Sequence, residues 1–258
     1  MPTYRYAILG ATGQTGSEIV KLLLPTSAHL NVYARDAARL EAKHPGLQSA
    51  ANVTTFIGDL SDTALLSSCL AGCDVVLSTV AQNQNEPGCS IAQRTAQALI
   101  TALESRKENC PTVVFLASFS VDPSRAANHT FAGRALHAVL NNVYSDLEHA
   151  IVLLQQHPWI PLVVAAPGGL VHDAPHTVEL TADTALASPL TGYADLAKGM
   201  VMMGDEGSKW KGEYVGMVVN GGKPIEANPA ALMRYLLPNV LAMVCPPLWR
   251  AGRNYWPV

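Results

Sequence analysis

Charged side chains are scarce in this sequence. Asp, Glu, Lys and Arg make up 14% of its 258 residues, against roughly 25% in a typical soluble domain. The formal net charge is -3 and Lys and Arg form no cluster, which argues against nucleic acid as a partner because phosphate-binding surfaces are strongly basic. So much uncharged surface is consistent with a pocket for an apolar small molecule, with a homo-oligomer interface, or with a well-buried monomer.

Signals for membranes, export and metals are also missing. The apolar run LLPNVLAMVCPPLW near the C-terminus is too short and too interrupted by proline to span a bilayer. A strand pattern begins almost at the first residue, so no signal peptide is expected and the cytoplasm is the predicted location, with no membrane partner. The five cysteines have no metal-ligand spacing, and we expect reduced thiols and no metal site.

Short apolar, β-branched segments alternate with helical patterns over the first two-thirds of the chain. Helices are predicted at 17–24, 89–106 and 134–156 from apolar residues spaced three and four apart. Repeated βαβ units predict an α/β fold, a doubly wound parallel sheet of the Rossmann type with right-handed crossovers. The six predicted strands are YRYAILG, HLNVYARD, NVTTFIGD, CDVVLSTV, PTVVFLASFS and IPLVVAAPGG.

Three glycines stand where the first predicted strand turns into the first helix: Gly10, Gly13 and Gly16. At such a turn the backbone turns tightly, approaches a pyrophosphate and packs the helix on the sheet, and each demand excludes a Cβ atom. The helix N-terminus adds N–H donors and the positive end of a dipole. Within a complete βαβ series, this spacing predicts that the loop binds a dinucleotide.

The end of the second strand indicates which dinucleotide is bound. Chains that bind NAD place an acidic residue there for the ribose 2′-hydroxyl, whereas this chain has Arg35, followed one helical turn later by Arg39. A guanidinium suits a 2′-phosphate through charge-assisted, bidentate hydrogen bonds. NADP(H) is therefore favoured, with NAD kept open by Asp36.

Further predicted contacts follow the other strands. Asp59 is placed to meet the adenine edge, and 79–81 are expected along the nicotinamide. Because the strand–helix rhythm breaks after about residue 167, we expect residues 1–166 to form the NAD(P)-binding part and 167–258 a smaller, substrate-facing lobe of the same single-domain fold. The predicted cofactor-binding residues are Gly10, Thr12, Gly13, Gln14, Thr15, Gly16, Arg35, Asp59, Leu60, Thr79, Val80, Ala81, Pro167, Gly168 and Gly169.

These residues resemble the atypical short-chain dehydrogenase/reductases of the NmrA-like, NAD(P)H-binding branch. That branch shows G-x-x-G-x-x-G, an Arg after the second strand, Gly-Asp-Leu after the third and a Pro-Gly loop after the sixth. The matching positions here are 10–16, Arg35, 58–60 and 167–169. The segments VYSDLEHAIVLLQQ, PGGLVHD and GYADLAKGM also look like fungal members found with aromatic-polyketide pathways. The resemblance implies an oxidoreductase.

The catalytic motif of that superfamily is absent. Catalytic members reduce carbonyls with Tyr-x-x-x-Lys, in which the Tyr supplies the proton and the Lys helps it to do so. No tyrosine in this chain is followed four positions later by a lysine. The best positional match is Tyr144, which is followed by Glu148, and a carboxylate there does not help a tyrosine to release its proton.

Four residues are candidates for a rebuilt catalytic site. Tyr144 and His137 are predicted on one helical stripe with Glu148, either as a polar face toward the nicotinamide or as a solvated helix face. Ser118 closes the fifth strand, where the superfamily keeps a Ser that binds a substrate carbonyl. His172, followed by Asp173, is a candidate acid or base in the loop after the sixth strand.

Three functions stay open at this point. The first is an NADPH-dependent oxidoreductase that acts on an apolar, aromatic or polyketide-like small molecule without Tyr-x-x-x-Lys. The second is an isomerase, dehydratase or cyclase that keeps the dinucleotide without net redox chemistry. The third is an NADP-binding, redox-sensing regulator of the NmrA type, which needs a partner protein and no catalytic residues.

Overall fold

Residues 4–82, 84–125, 130–220 and 229–252 are described by the computed structural model of the chain. The strands are β1 (Arg5–Leu9), β2 (His29–Ala34), β3 (Val53–Ile57), β4 (Val75–Ser78), β5 (Thr112–Leu116), β6 (Leu162–Ala165), β7 (Gly169–Val171), β8 (Thr177–Thr181), β9 (Leu190–Gly192) and β10 (Tyr214–Asn220). The α-helices are α1 (Gln14–Leu23), α2 (Ala37–Lys43), α3 (Thr63–Cys69), α4 (Ile91–Leu103), α5 (Phe131–Val139), α6 (Asn141–Gln155), α7 (Tyr193–Asp205), α8 (Gly207–Trp210), α9 (Pro229–Val244) and α10 (Pro246–Gly252).

Eight of these strands form one sheet in the order β3-β2-β1-β4-β5-β6-β10-β8. All neighbours are parallel except β8, which runs antiparallel to β10. Strand β1 pairs with both β2 and β4, so the order of the chain reverses at β1. The predicted doubly wound parallel sheet is confirmed.

Helices cover both faces of the sheet, which is why its strands are apolar on both sides. Along β1, Ala7 and Leu9 face the layer of α3, α4 and α6. Ile8 points the opposite way, into the layer of α1, α2 and α7. Within the described residues, no helix is both long enough and apolar enough to cross a membrane.

The C-terminal part of the chain contributes strands to the main sheet. Strand β10 adds directly to β6, and β8 adds to β10, so residues after 167 extend the main sheet. Strands β7, β8 and β9, which are three, five and three residues long, are not among the six strands predicted from the sequence. Trp210 and Trp249 are buried, and Trp256 lies outside the described residues.

The prediction of a single helix at 134–156 is wrong. The helix is interrupted at Leu140, where a φ of -108° and a ψ of 22° separate α5 from α6. The sequence gives no sign of this interruption, because Leu136 in α5 and Leu147 in α6 have the spacing expected for one continuous helix. The break itself is set by contacts from other parts of the chain, which are described below.

Helix α4 begins in an unusual way. Ser90 occupies the N-cap position but makes no capping hydrogen bond with its side chain. Instead the carboxylate of Asp146, on α6, accepts hydrogen bonds from the backbone N–H of Ala92 at 2.9 Å and of Gln93 at 3.0 Å. Asp146 is buried, and its position on α6 joins the two longest helices of this layer.

We expect Asp146→Ala to lower the free energy of unfolding by about 2–3 kcal/mol, because two N–H groups of α4 lose their acceptor in a buried place. Ser90→Ala is the matched control and should cost less than about 0.5 kcal/mol. Urea unfolding followed by circular dichroism measures both. Equal effects of the two substitutions would contradict the assignment of the cap.

Candidate functional site

The parallel sheet brings the predicted site residues to one edge. Neighbouring strands lie about 4.8 Å apart, so the residues that follow the carboxyl ends of β3, β2, β1, β4, β5 and β6 form a row in that order. Ligands of doubly wound sheets bind at this edge, beside the point where the strand order reverses. From one end of the row to the other, the residues are Asp59, Arg35, Gly10, Thr79, Ser118 and Pro167.

The glycine loop packs so tightly that two of its positions admit no side chain. Gly10 has a φ of 92°, and a Cβ atom there would lie 2.6 Å from Oγ1 of Thr79. A Cβ at Gly16 would collide with the carbonyl group of Gly10. Thr79 is itself held in place, because its backbone N and its Oγ1 both donate to the carbonyl oxygen of Leu9 at 2.9 Å.

This packing presents the N-terminus of α1 at the edge of the sheet. Gly13 is the N-cap and has no side chain to cover the helix end, and the first N–H groups of a helix have no acceptor within the helix. Gln14 is exposed, Thr12 is half-buried and Thr15 is buried. A cradle of glycines below free N–H donors fits the diphosphate of a dinucleotide.

A histidine that the sequence analysis missed holds this loop from the outside. His44 follows α2, is buried, and its Nε2 lies 3.0 Å from the carbonyl oxygen of Ala11. The contact ties the end of α2 to the residue after Gly10. A single histidine after a short helix carries no local signal of such a role, because its partner is 33 residues away.

After β2, two arginines are exposed and an acidic residue caps the next helix. Arg35 and Arg39 are exposed. Asp36 is the N-cap of α2, and its Oδ1 accepts from the backbone N–H of Ala38 at 2.8 Å and of Arg39 at 3.1 Å. One oxygen of the carboxylate that would favour NAD therefore caps the helix.

Asp59 lies beside these arginines. Its Oδ1 accepts a hydrogen bond from the backbone N–H of Ser61 at 3.0 Å. The hydrogen bonds from Ser61, helped by the charges of Arg35 and Arg94, hold the pKa of Asp59 below its ordinary value. A carboxylate that stays ionised and exposed can accept hydrogen bonds from an adenine amino group. Leu60, the next residue, is half-buried.

At the other end of the row, the segments after β4, β5 and β6 lie side by side. Thr79 and Val80 are half-buried and Ala81 is exposed. The backbone N–H of Phe119 donates to the carbonyl oxygen of Pro167 at 3.0 Å, which places Ser118 beside the Pro-Gly loop. Ser118 follows β5 rather than closing it, and its Oγ accepts from the backbone N–H of Ser120 at 3.2 Å.

The Pro-Gly loop is enclosed by a second segment of the C-terminal part. Pro167 and Gly168 are buried, whereas Gly169 is exposed. A Cβ atom at Gly168 would collide with the carbonyl oxygens of Ser188 and Pro189. The backbone N–H of Gly169 donates to the carbonyl oxygen of Pro189 at 2.8 Å, and β7 then pairs with β9.

His137, Tyr144 and Glu148 do come together, but across two helices. Nε2 of His137, on α5, lies 2.9 Å from Oε1 of Glu148, on α6. The rings of His137 and Tyr144 are 5.3 Å apart between centroids and are tilted by 51°. The cluster is not one helical stripe, because it spans two helices; Tyr144 is buried, whereas the side chains of His137 and Glu148 are 35% and 43% exposed. Helix α6 connects the parallel strands β5 and β6, so its first turns start at the ligand edge.

The loop after β7 differs from its prediction. The ring of exposed His172 packs on Tyr193 at 4.8 Å between centroids, and does not pair with Asp173. The histidine with a buried carboxylate partner is His176, whose Nδ1 lies 2.9 Å from Oδ2 of Asp195. The same carboxylate also accepts a hydrogen bond from the backbone N–H of His176 through Oδ1, so Asp195 holds this loop against the start of α7.

Comparison with known proteins also indicates a dinucleotide-binding chain. Residues 10–204 match the family of NAD(P)H-binding proteins. The chain belongs to that family. Oxidoreductase aflX of Aspergillus parasiticus is 35% identical over 212 residues, which are 80% of this chain and 79% of the relative. Oxidoreductase ordB of Dothistroma septosporum is 34% identical over 84% of this chain and 83% of its own.

Solved structures of this fold include a short-chain dehydrogenase/reductase from Veillonella parvula in complex with NADP. It superimposes with a TM-score of 0.64 at 16% identity, and the match covers 88% of this chain and 100% of that one. A likeness at this identity establishes the fold. Together with the fungal relatives, it supports an oxidoreductase of the NAD(P)H-binding family that uses a nicotinamide dinucleotide.

We expect His44→Ala to raise the Kd for NADPH about fivefold to tenfold, since the glycine loop loses one hydrogen bond that holds it in its binding conformation. His29→Ala is the control, because His29 is exposed at the start of β2, at the opposite edge of the sheet. Calorimetric titration measures both. An unchanged Kd in a folded His44→Ala protein would contradict the role given to this histidine.

Proposed function

We propose that this chain is an NADPH-dependent oxidoreductase that reduces a carbonyl group of an apolar, aromatic or polyketide-like small molecule. The observation that carries the proposal is the meeting of His137, Glu148 and Tyr144 across α5 and α6, the helices that connect β5 to β6. This cluster supplies an acid in a family member that has no Tyr-x-x-x-Lys motif.

The preference for NADPH rests on charge at the β2 end of the row. Arg35 and Arg39 are exposed there, while Asp36 is bound to the N-terminus of α2. Guanidinium groups bind a phosphate by charge-assisted hydrogen bonds, whereas one oxygen of the Asp36 carboxylate already accepts from two N–H groups of α2. The 2′-phosphate of NADPH is therefore the group that these residues suit.

In the proposed reaction, residues of this chain orient the substrate and supply the proton. When bound, the reduced nicotinamide supplies a hydride to the carbonyl carbon of the substrate. The hydroxyl group of Ser118 orients the carbonyl oxygen, and the phenol of Tyr144 gives that oxygen its proton. His137 packs against the ring of Tyr144 and its Nε2 lies 2.9 Å from Oε1 of Glu148, so we expect it to assist the phenol as a general acid–base group.

The substrate class follows from the surface beside this cluster. Helix α5, which carries His137, packs against α9. Phe131 on α5 is 84% exposed, and Leu237, Met243 and Val244 on α9 are exposed as well. Exposed apolar side chains on α5 and on the helix packed against it suit a flat, apolar ligand with few polar groups. The residues after 167 that line this side are the proposed substrate-facing part.

A second function is favoured by the nature of the acid. A histidine held by a carboxylate is a general acid–base pair, and such a pair also serves an isomerase, dehydratase or cyclase that leaves the cofactor unchanged. The two functions differ in their products. A reductase adds two hydrogens and consumes NADPH, whereas the alternative leaves NADPH intact and gives a product of equal mass or one lighter by water.

The cofactor assignment is tested by Arg35→Asp. We expect this variant to raise the Kd for NADPH by about tenfold or more while changing the Kd for NADH much less, because only NADPH carries the 2′-phosphate. Lys21→Asp changes the net charge equally, on the exposed far part of α1, and is the control. Equal losses for both cofactors would argue against a phosphate contact at Arg35.

The acid is tested by Tyr144→Phe and His137→Gln, assayed by NADPH oxidation with a panel of hydroxyanthraquinones and aryl ketones. We expect kcat to fall about 100-fold or more in Tyr144→Phe and less in His137→Gln, with the Kd for NADPH unchanged. His149→Gln, an exposed histidine on the same helix, should keep full activity. If the unaltered chain oxidises no NADPH with any member of the panel, the result counts against a reductase. If Tyr144→Phe and His137→Gln both keep full activity, the result counts against this cluster as the acid.

A further inference from the structure

The break between α5 and α6 is filled by the side chain of Asn85. This residue lies in the segment between β4 and α4 and is fully buried. Its Oδ1 accepts hydrogen bonds from the backbone N–H of Asn142 at 2.9 Å and of Val143 at 3.2 Å. Its Nδ2 donates to the carbonyl oxygen of Val139 at 2.8 Å. One amide group thus serves the C-terminus of α5 and the N-terminus of α6.

These hydrogen bonds replace those that a continuous helix would have made. At the break, the last carbonyl groups of α5 and the first N–H groups of α6 have no helical partners. A primary amide offers both an acceptor and donors, so Asn85 can satisfy both helix ends at once. Its position between them holds the angle at which the two helices meet.

The same residue is connected to a third helix. The backbone N–H of Asn85 donates to Oδ1 of Asn239, on α9, at 3.1 Å. The segment that starts at Thr79, beside the glycine loop, is therefore tied through Asn85 to α5, α6 and α9. A single buried residue thus fixes three helices relative to the end of β4.

We propose that Asn85 is a positioning residue that holds His137 on α5 against Tyr144 and Glu148 on α6. The 2.9 Å contact between His137 and Glu148 spans the break, so it depends on the angle that Asn85 maintains. The catalytic consequence rests on the function proposed above. The geometric part does not depend on that function, since it concerns where His137 lies in the cofactor-free chain.

The test compares Asn85→Ala with Asn31→Ala. Asn31 is also a buried asparagine and donates from Nδ2 to the carbonyl oxygen of Cys69 at 2.6 Å, but it lies on β2, away from the helix break. Both substitutions remove a buried amide and should lower the Tm. Only Asn85→Ala should change the surroundings of His137.

The decisive readout is the Cε1–H signal of His137 in the ¹H–¹³C spectrum of the cofactor-free protein, assigned by its loss in His137→Gln. The nearby ring of Tyr144 should displace this signal from that of exposed His149. We expect Asn85→Ala to move it toward the His149 position, to lower kcat about tenfold or more, and to leave the Kd for NADPH within about threefold. Asn31→Ala should change neither the signal nor kcat.

An unmoved His137 signal in Asn85→Ala, or an equal movement in Asn31→Ala, would overturn the proposal. Asn85→Asp provides a second variant if the alanine protein does not fold, because a carboxylate keeps the acceptor for Asn142 but cannot donate to Val139. It should displace the signal partly. If Tyr144→Phe and His137→Gln keep full activity, the proposed acid fails, and the His137 signal still decides whether Asn85 sets this geometry.

Discussion

The contact between Gly16 and the carbonyl group of Gly10, with Thr79 against the same glycine, is the constraint on which the site depends. It is too close for any side chain, and it joins the end of β1, the start of α1 and the end of β4 at one place. Because the strands are parallel, the residues after all their carboxyl ends then fall into a row on the same edge. His44 contacts the carbonyl oxygen of Ala11 and so ties the glycine loop to the end of α2. The geometry of the glycine loop follows from close backbone packing rather than from the functional groups of side chains.

The other half of the site is built differently. In the proposed mechanism, the acid comes from two helices that meet at a break, with His137 on one side and Tyr144 and Glu148 on the other. A break in a helix leaves backbone groups that need partners, and Asn85 supplies them in a fully buried position. In the proposed account, this buried polar contact, which is costly when incomplete, holds His137 on α5 against Tyr144 and Glu148 on α6.

Much of the fold and of the binding loop could be predicted from the sequence, because both depend on local patterns. The apolar runs of the strands, the glycine spacing and Arg35 after β2 are all visible within a few residues. The features that could not be predicted depend on partners far apart in the chain. The break at Leu140 keeps the apolar spacing of a single helix, and Asn85, which fills it, lies more than 50 residues earlier. The same reason hides the cap that Asp146 provides for α4 and the pairing of His176 with Asp195.

The central claim is that this member of the NAD(P)H-binding family transfers a hydride although the usual catalytic motif is missing. The most direct measurement incubates the chain with an aromatic polyketide carbonyl substrate and NADPH carrying deuterium at C4 of the nicotinamide, as each of the two stereoisomers. The account predicts that one isomer transfers its deuterium to carbon in the product, with one label found for each NADPH oxidised. Conversion of the substrate with the deuterium still on the nicotinamide in both isomers would contradict it.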